Sequence, residues 1–399
     1  MHRRDLLKAA LAAPLLIAGR AMAVPQTGTR LLVVFLRGAY DGASLLIPVS
    51  SDFYYRSRPT IAIPRPDPAN ANTAIALDRD WGLHPALRAS MLPLWEKGQL
   101  AFVPFAGTDD MSRSHFETQD TIEMGQPIQA RRDYRSGFLG RLAVQLGAER
   151  ARVQPIAFTG QVPLSFQGGA PIPNIAIGGV GKPAVDARQA KLISDMYQGG
   201  PLGPSVAEGF AVEGEVYQTI STGMNVANRG AVSPKGFELA ARRVGALMRE
   251  QFNLAFLDVG GWDTHVGQGA ASGYLSGRLA ELGRGLAGFV DELEPAAWDE
   301  TTVVVVSEFG RTFRENGDKG TDHGHGSVYW VMGGRVRGGR VAGDQGPVTE
   351  AGLNQNRDYP VLVDYRALLG GLFQRIYGLD PSRLEAVFPD ARPRDLGLV

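Results

Sequence analysis

Four continuous apolar runs constrain the fold of this 399-residue chain more than any other feature of its sequence. They occupy residues 31–36, 100–105, 253–257 and 302–306. Runs of this length are typical of strands that are buried on both faces. Between them, apolar residues recur every three or four positions in segments 85–97, 137–146, 234–251 and 273–293. This alternation of strands and amphipathic helices predicts an α/β fold, a three-layer α/β/α sandwich with a mostly parallel sheet.

Two segments depart from the alternation. Residues from about 160 to 232 are rich in glycine, proline and small residues. A structureless loop of that length is unusual, so we expect an inserted subdomain or lid there. Residues 333–341 alternate glycines with short β-prone pieces, which predicts a hairpin.

The first 23 residues are typical of a twin-arginine export signal. Arg3 and Arg4 precede a short apolar region, 9–18, and small residues follow at 21–23. A membrane-spanning helix needs about 20 apolar residues, so no stable membrane span is expected, and a short uncleaved anchor is the alternative. We expect residues 24–399 to form one domain that the twin-arginine machinery exports, already folded, to the periplasm or beyond.

The charge balance and the cysteine count narrow the classes of function. Lys and Arg together number 41, as do Asp and Glu, whereas nucleic-acid binding normally needs a basic excess. The sequence contains no cysteine. Thiolate metal sites and cysteine nucleophiles are therefore excluded, and any metal must be bound by His, Asp, Glu and water.

Most of the histidines follow a predicted strand. In sheets of this kind, ligands bind beyond the carboxyl ends of the strands. His115, His265, His323 and His325 all lie after such ends, whereas His84 does not. The sequence therefore predicts that the chemistry of the chain takes place at that edge of the sheet.

Two carboxylates and an imidazole come directly after the third apolar run. Asp258, Asp263 and His265 are suitable ligands for zinc or a similar divalent metal, and the intervening glycines let the backbone bend around an ion. The alternative is that Asp263 caps the next helix and His265 lies on the surface.

The stretch after the fourth run offers further ligands. Glu308, at the strand tip, is expected either to bind metal or to pair with Arg311, because an unpaired ionised group is poorly tolerated there. Asp322, His323 and His325 follow. Alternate residues of an extended stretch point to opposite sides, so at most one of these histidines should face a given metal.

Two more segments carry candidate catalytic groups. Ser112 and Ser114 stand where a helix begins, a position at which serine is more often an N-cap than a nucleophile. The same helix end would activate a nucleophile and hold an anion. After the first run, Arg37 offers an anion clamp and Asp41 a metal ligand, although Asp-Gly is also a common turn.

Several motifs, taken together and in order, resemble one exported bacterial family, domain of unknown function 1501. They are the twin-arginine leader, LVVFLRGAYDGAS, GLHPAL, SRSHFETQD, DVGGWDTH, SEFGRT and GTDHGHGSVYWVMGG. The resemblance covers nearly the whole mature chain. The family is grouped with the alkaline phosphatase and sulfatase superfamily, which implies an alkaline-phosphatase-like sandwich with metals at the strand ends. It also implies a Ser, Thr or modified Cys nucleophile at a helix N-terminus.

Carried onto this chain, the resemblance implies that Ser114 is the nucleophile, with Ser112 as second choice. His115 or Arg113 would position the anion. A one-metal cluster is similar to Asp258 or Asp263 with His265 and one of His323 and His325.

At the tips of two strands, the residues of this chain differ from those usual in the superfamily. Arg37 stands where an Asp is usual, and Glu308 with Phe309 stands where Asp-His is usual. These departures favour a one-metal site, a site rearranged around Asp322 and His323, or one without catalysis.

The resemblance therefore implies an exported metal-dependent hydrolase of phosphate or sulfate esters, with an anionic small molecule or polysaccharide as substrate. Zinc is the expected metal, with calcium, magnesium and manganese as alternatives. The rival function is that of a non-catalytic envelope protein whose degenerate site binds an anionic glycan or an assembly partner.

Overall fold

The computed structural model describes residues 28–148, 152–169, 171–177, 193–200, 202–203, 206 and 236–399. The leader 1–23 and most of the segment 160–232 lie outside the described residues, so the signal and the insert stay predictions. The strands are β1 Arg30–Leu36, β2 Leu46–Pro48, β3 Ile75–Ala76, β4 Trp81–Leu83, β5 Leu100–Gly107, β6 Pro155–Phe158, β7 Leu254–Val259, β8 Thr301–Ser307, β9 Ser327–Gly333, β10 Arg340–Val341 and β11 Val363–Asp364. The α-helices are α1 Gly42–Leu45, α2 Asp52–Ser57, α3 Leu92–Glu96, α4 His115–Met124, α5 Phe138–Leu146, α6 Phe237–Glu250, α7 Tyr274–Asp299, α8 Tyr365–Tyr377 and α9 Pro381–Val387.

A mostly parallel sheet forms the centre of the molecule. Its order is β10-β5-β9-β8-β1-β7-β6, with β11 also paired to β5. β1 runs parallel to β7 and β8, and only β9 is antiparallel to its neighbours. All four predicted apolar runs are strands of this sheet, and the prediction of a mostly parallel sheet is confirmed.

Helices cover both faces of the sheet, because alternate residues of the central strands point into two separate cores. Leu32 and Val34 pack on one side with residues of α6 and α7, such as Leu247 and Leu286. On the other side, Leu31, Val33 and Phe35 pack with residues of α5, α8 and α9. The three-layer α/β/α sandwich expected from the sequence is therefore the observed architecture.

Two local predictions were wrong. The segment 85–97 is not one helix: a 3-10 turn at Pro85–Leu87 and the short α3 replace it. Pro93 lies inside the segment, and a proline in a helix interior removes a hydrogen bond and clashes with the preceding turn. The segment 333–341 is not a hairpin either, because β9 and β10 both pair with β5, on its two sides.

Where helices were expected further along the chain, they are present, with one kink. The helix predicted over 273–293 continues to Asp299 through a break at Glu294, whose φ of 61° is non-helical and which precedes Pro295. No helix in the described part of the chain is both long and apolar enough to cross a membrane.

His84, the histidine away from the strand ends, has a structural role. It is fully buried, its Nδ1 accepts a hydrogen bond from the Ala86 amide, and its Nε2 lies 3.1 Å from the Ala270 carbonyl oxygen. Nε2 therefore carries the proton, and the neutral ring pins the loop before α7 to the 3-10 turn. Burial lowers the pKa of His84 to about 4.

We expect this imidazole to make stability depend on pH. The unfolded chain takes up a proton near pH 6.5, but the folded chain does so only near pH 4, so the free energy of unfolding falls as the pH drops through that window. The lost contribution is up to about 3 kcal/mol. Urea unfolding at pH 7 and pH 4.5 measures this loss. In His84→Gln the free energy of unfolding should change less between the two pH values. An equal slope in wild type and variant would contradict the assignment.

Candidate metal centre

Loops from several strands meet at the carboxyl edge of the sheet. His115 follows β5, Asp263 and His265 follow β7, Arg311 follows β8, and His323 lies just before β9. β5, β7 and β8 end at this edge, and the antiparallel β9 begins there. The topology therefore gathers these five side chains at one place.

A close backbone approach aligns Arg311 with His323. The two residues form an antiparallel bridge, and the Gly324 amide donates a 2.8 Å hydrogen bond to the Gly310 carbonyl. A Cβ atom at Gly310 would stand 1.9 Å from the carbonyl oxygen of Gly326. Only glycine permits such an approach, so the glycines of this stretch set the register between the Arg311 and His323 segments.

Three imidazoles point toward the carboxylate of Asp263. The Nε2 atoms of His265 and His323 lie 2.9 and 3.3 Å from Asp263 Oδ1 and 3.1 Å from each other. The Nε2 of His115 lies 3.6 Å from Asp263 Oδ2. Ligand atoms of His115, Asp263 and His323 all fall within 4.8 Å of one another. Ligands about 2.0–2.1 Å from a tetrahedral ion stand about 3.3 Å apart. The separations of 2.9, 3.1 and 3.3 Å among Asp263, His265 and His323 are close to that value.

A separate acceptor fixes the other nitrogen of each ring. The Nδ1 of His115 lies 2.8 Å from Glu308 Oε1, and the Nδ1 of His265 lies 3.0 Å from Asp322 Oδ1. In His323 it lies 2.9 Å from the carbonyl oxygen of Arg113. In the neutral form of each ring, these acceptors favour the proton on Nδ1, which leaves an Nε2 lone pair facing Asp263.

The cluster therefore has more acceptors than donors at its centre. The Nε2 of His115 is buried and has no hydrogen-bond partner among the described residues. Burial lowers the pKa of His323, which favours its neutral form. Burial acts against ionisation of Asp263, but the hydrogen bond and charge of Arg311 outweigh it, so the pKa of Asp263 lies below its ordinary value. Converging lone pairs and a carboxylate are the donor set that a divalent cation needs.

Comparison with known proteins places the chain in a family. A model of the family described as "Protein of unknown function (DUF1501)" matches residues 28–388. The chain belongs to the DUF1501 family. No curated protein matches its sequence. Among solved structures, the lipoteichoic acid synthase LtaP from Listeria monocytogenes is similar, at 8% identity and a TM-score of 0.40, over 96% of this chain and 81% of that one. At this identity and TM-score the likeness does not bear on what the DUF1501 chain binds.

The structure brings together three of the predicted ligands and supplies a fourth. Asp263, His265 and His323 converge as expected, and His323 rather than His325 faces the centre. His115, which the resemblance implied would position an anion, lies among the ligand atoms instead. In a one-metal interpretation, ligand atoms of His115, Asp263 and His323 are close enough to share an ion, and His265 lies beside Asp263 and His323.

Glu308 and Asp322 contact the histidines of the cluster and not its centre, although both were predicted as metal ligands. Glu308 is fully buried and is held by His115, by the Gln119 side chain and by the Gly38 amide. Burial opposes its charge, yet these hydrogen bonds hold its pKa below the ordinary value. Its expected partner Arg311 instead pairs with Asp263, with Nη1 2.6 Å from Oδ1. Both carboxylates orient ligands, and neither lies among the ligand atoms.

Three other predicted ligands face groups outside the cluster. Asp41 forms a fully buried ion pair with Arg58. Asp258 is bonded to Arg37, with Nε 2.7 Å from Oδ2. His325 is buried and faces the Asp110 and Arg113 side, as strand alternation requires. The prediction that these three bind the metal is corrected.

The predicted catalytic residues are placed as follows. Ser114 is the N-cap of α4, and its hydroxyl accepts a 3.5 Å hydrogen bond from the Glu117 amide. Ser112 Oγ lies 3.2 Å from Thr118 Oγ1. Arg37 bonds Asp258 and Glu123, so its charge is already balanced, and a role as anion clamp loses its basis. The nucleophile role of Ser114 stays a prediction.

An unusual backbone conformation next to Ser114 supports the cluster. Arg113 has a φ of 52°, a left-handed conformation that is uncommon outside glycine. Its guanidinium pairs with the buried carboxylate of Asp358. The pair holds the turn in which the Arg113 carbonyl faces His323, so Ser114 lies between two residues that contact the cluster.

We expect the carboxylate behind His265 to contribute to metal affinity. Asp322→Ala should weaken binding about 10- to 100-fold, because the partner of a ligating histidine fixes its tautomer and orientation. Asp318→Ala, in the same loop but with its carboxylate outside these contacts, is the matched control. Chelator competition gives the two affinities. Equal affinities in the two variants would rule out the orienting role of Asp322.

Proposed function

We propose that the protein is an exported, metal-dependent hydrolase of phosphate or sulfate esters. The observation that supports it best is the convergence of three imidazole lone pairs and the Asp263 carboxylate at the carboxyl edge of the sheet, where α/β folds bind ligands. The side chains of the cluster keep between 23% and 43% of their surface exposed, so a substrate can reach them.

Zinc is the metal that the donor set favours. Neutral imidazole nitrogens suit zinc, whereas calcium and magnesium prefer all-oxygen sites. His115, Asp263, His265 and His323 would hold it. When bound, such an ion supplies Lewis-acid polarisation of an ester oxygen and activates an adjacent oxygen nucleophile.

The protein groups around the cluster suit an anionic ester. Arg311 is buried and holds Asp263, adding a fixed positive charge beside the ligands. The first backbone amides of α4 also lie at this edge, and a helix N-terminus favours negative charge. In this arrangement Ser114, at the end of that helix, is the hydroxyl available for in-line attack on the bound ester.

Substitution of the serines tests the proposal. Protein exported with its own leader is assayed with aryl phosphate and aryl sulfate after elemental analysis. Ser114→Ala should lower kcat by at least about a hundredfold with the metal retained, whereas Ser112→Ala should change kcat little. Turnover in Ser114→Ala equal to wild type would overturn the nucleophile role.

One observation favours the rival function, in which the site binds an anionic glycan or partner without turnover. Within the residues that the structure describes, no carboxylate or imidazole is hydrogen-bonded to the Ser114 hydroxyl, which instead caps its own helix. Metal-loaded wild type that binds sulfated polysaccharide but hydrolyses neither aryl ester would select this function.

A further inference from the structure

We infer that Gln268 is a positioning residue that aligns the two ligand-bearing loops of the metal centre. One loop, residues 263–268, carries Asp263 and His265, and the other, residues 311–323, carries Arg311 and His323. The side chain of Gln268 is completely buried between them. Its position in the sequence shows no such role, since it lies in a glycine-rich turn three residues after His265.

The amide of Gln268 uses all of its hydrogen-bonding capacity. Nε2 donates to Asp41 Oδ2 at 2.7 Å and to Ser44 Oγ at 3.2 Å. Oε1 accepts from the hydroxyls of Thr264 at 2.8 Å and Thr321 at 2.9 Å. A carboxylate only accepts hydrogen bonds, so Asp41 fixes which end of the amide carries the oxygen.

Both threonines are adjacent to residues of the cluster. Thr264 lies between Asp263 and His265 in the chain. Thr321 directly precedes Asp322, and its hydroxyl also accepts a 3.2 Å hydrogen bond from Arg311 Nε. One carbonyl oxygen therefore sets the distance between the loop that carries His265 and the loop that carries Arg311 and His323.

The ion pair of Asp41 with Arg58 anchors this arrangement. Arg58 Nη2 lies 3.0 Å from Asp41 Oδ1, and Arg58 also donates to the carbonyl oxygens of Thr312 and Phe313, next to Arg311. The anchor thus fixes the Arg311 loop from one side and the Gln268 amide from the other. Asp41 therefore acts on the cluster through Arg58 and Gln268 and not as a ligand.

The contacts of Gln268 matter even in metal-free protein. Alignment of the loops keeps the protons of His265 and His323 on Nδ1, because Asp322 and the Arg113 carbonyl then face those nitrogens. Without the amide the loops can separate, and each ring exchanges between its tautomers. A second consequence rests on the proposed function: metal affinity should fall about tenfold, toward the lower end of the effect of an outer-shell partner.

Imidazole ¹H–¹⁵N NMR on metal-free protein and chelator competition with zinc test both consequences. Gln268→Met keeps the volume and removes the four hydrogen bonds. It should give mixed tautomers at His265 and His323 and about tenfold weaker zinc binding. Thr264→Val should disturb mainly His265, and Thr321→Val mainly His323. These two milder variants decide the matter if Gln268→Met does not fold.

Thr301→Val is the control. It removes a partly buried 2.6 Å hydrogen bond to the Ala297 carbonyl at the opposite end of the sheet, so it reports a general loss of stability. Tautomers and affinity that respond alike in Thr301→Val and in the Thr264 and Thr321 variants would overturn the inference. If wild type binds no zinc but Gln268→Met still mixes the tautomers, the positioning role stands and the metal proposal fails.

Discussion

His323→Gln is expected to weaken metal binding by more than about a hundredfold, since the loss of even an outer partner of a ligand costs about 10- to 100-fold. His323 directs its Nε2 to within 3.3 Å of Asp263 Oδ1. His265→Gln should behave in the same way. Elemental analysis of protein purified without an affinity tag, followed by chelator competition, measures the effect.

The chain contains a matched control two residues away. His325 belongs to the same stretch, but it is buried and its ring faces Asp110 and Arg113. His325→Gln should keep the metal even if it lowers the melting temperature. A variant series in which His323→Gln retains the ion, or His325→Gln loses it equally, would show that the cluster is not the metal site.

Asp41→Asn is expected to lower the free energy of unfolding by about 3–5 kcal/mol, because it leaves the Arg58 guanidinium buried without its counter-charge. The side chains of the pair are only 0% and 2% exposed. Urea unfolding in the presence of chelator measures this cost separately from metal binding. A double replacement, Asp41→Leu with Arg58→Met, should recover part of the loss, since a buried pair is often matched by apolar residues.

The exposed pair of Asp52 with Arg65 provides the comparison. Its side chains are 76% and 50% exposed, so solvent screens their attraction. Asp52→Asn should cost no more than about 1 kcal/mol. Costs of similar size in Asp41→Asn and Asp52→Asn would mean that the buried pair is not the anchor described above.

The sequence predicts the sheet well because burial on both faces leaves a direct signature. The run Val303 to Val306 has no other plausible place than a central strand. Strands β6 and β9 have weaker sequence signatures, for different reasons. β6 has only four residues and begins with Pro155. β9 directly follows a stretch rich in glycine and histidine, a composition more typical of a loop than of a strand.

Ligands were harder to predict than strands, since a carboxylate near a strand end has several uses. Asp41 and Asp258 were attractive candidates, but their partners Arg58 and Arg37 lie 17 and 221 positions away, and spacing does not show such pairs. The sequence places His115 in the first turn of a helix, which favours an anion site over a metal ligand. The strand-end rule does point to the segments of Asp263 and His265 and of His323 and His325.

The pairing of distant segments at the metal centre also bears on how the protein matures. Arg113 and His323, which are in contact, are 210 positions apart in the chain. An unfolded chain presents no such arrangement, so an ion bound at the cluster would add stability only to the folded protein. At a free-ion concentration a hundred times the dissociation constant, this linkage is worth about 2.7 kcal/mol. Metal would then be bound only by molecules in which the sheet has formed. A shortage of the ion would first increase the fraction of unfolded protein.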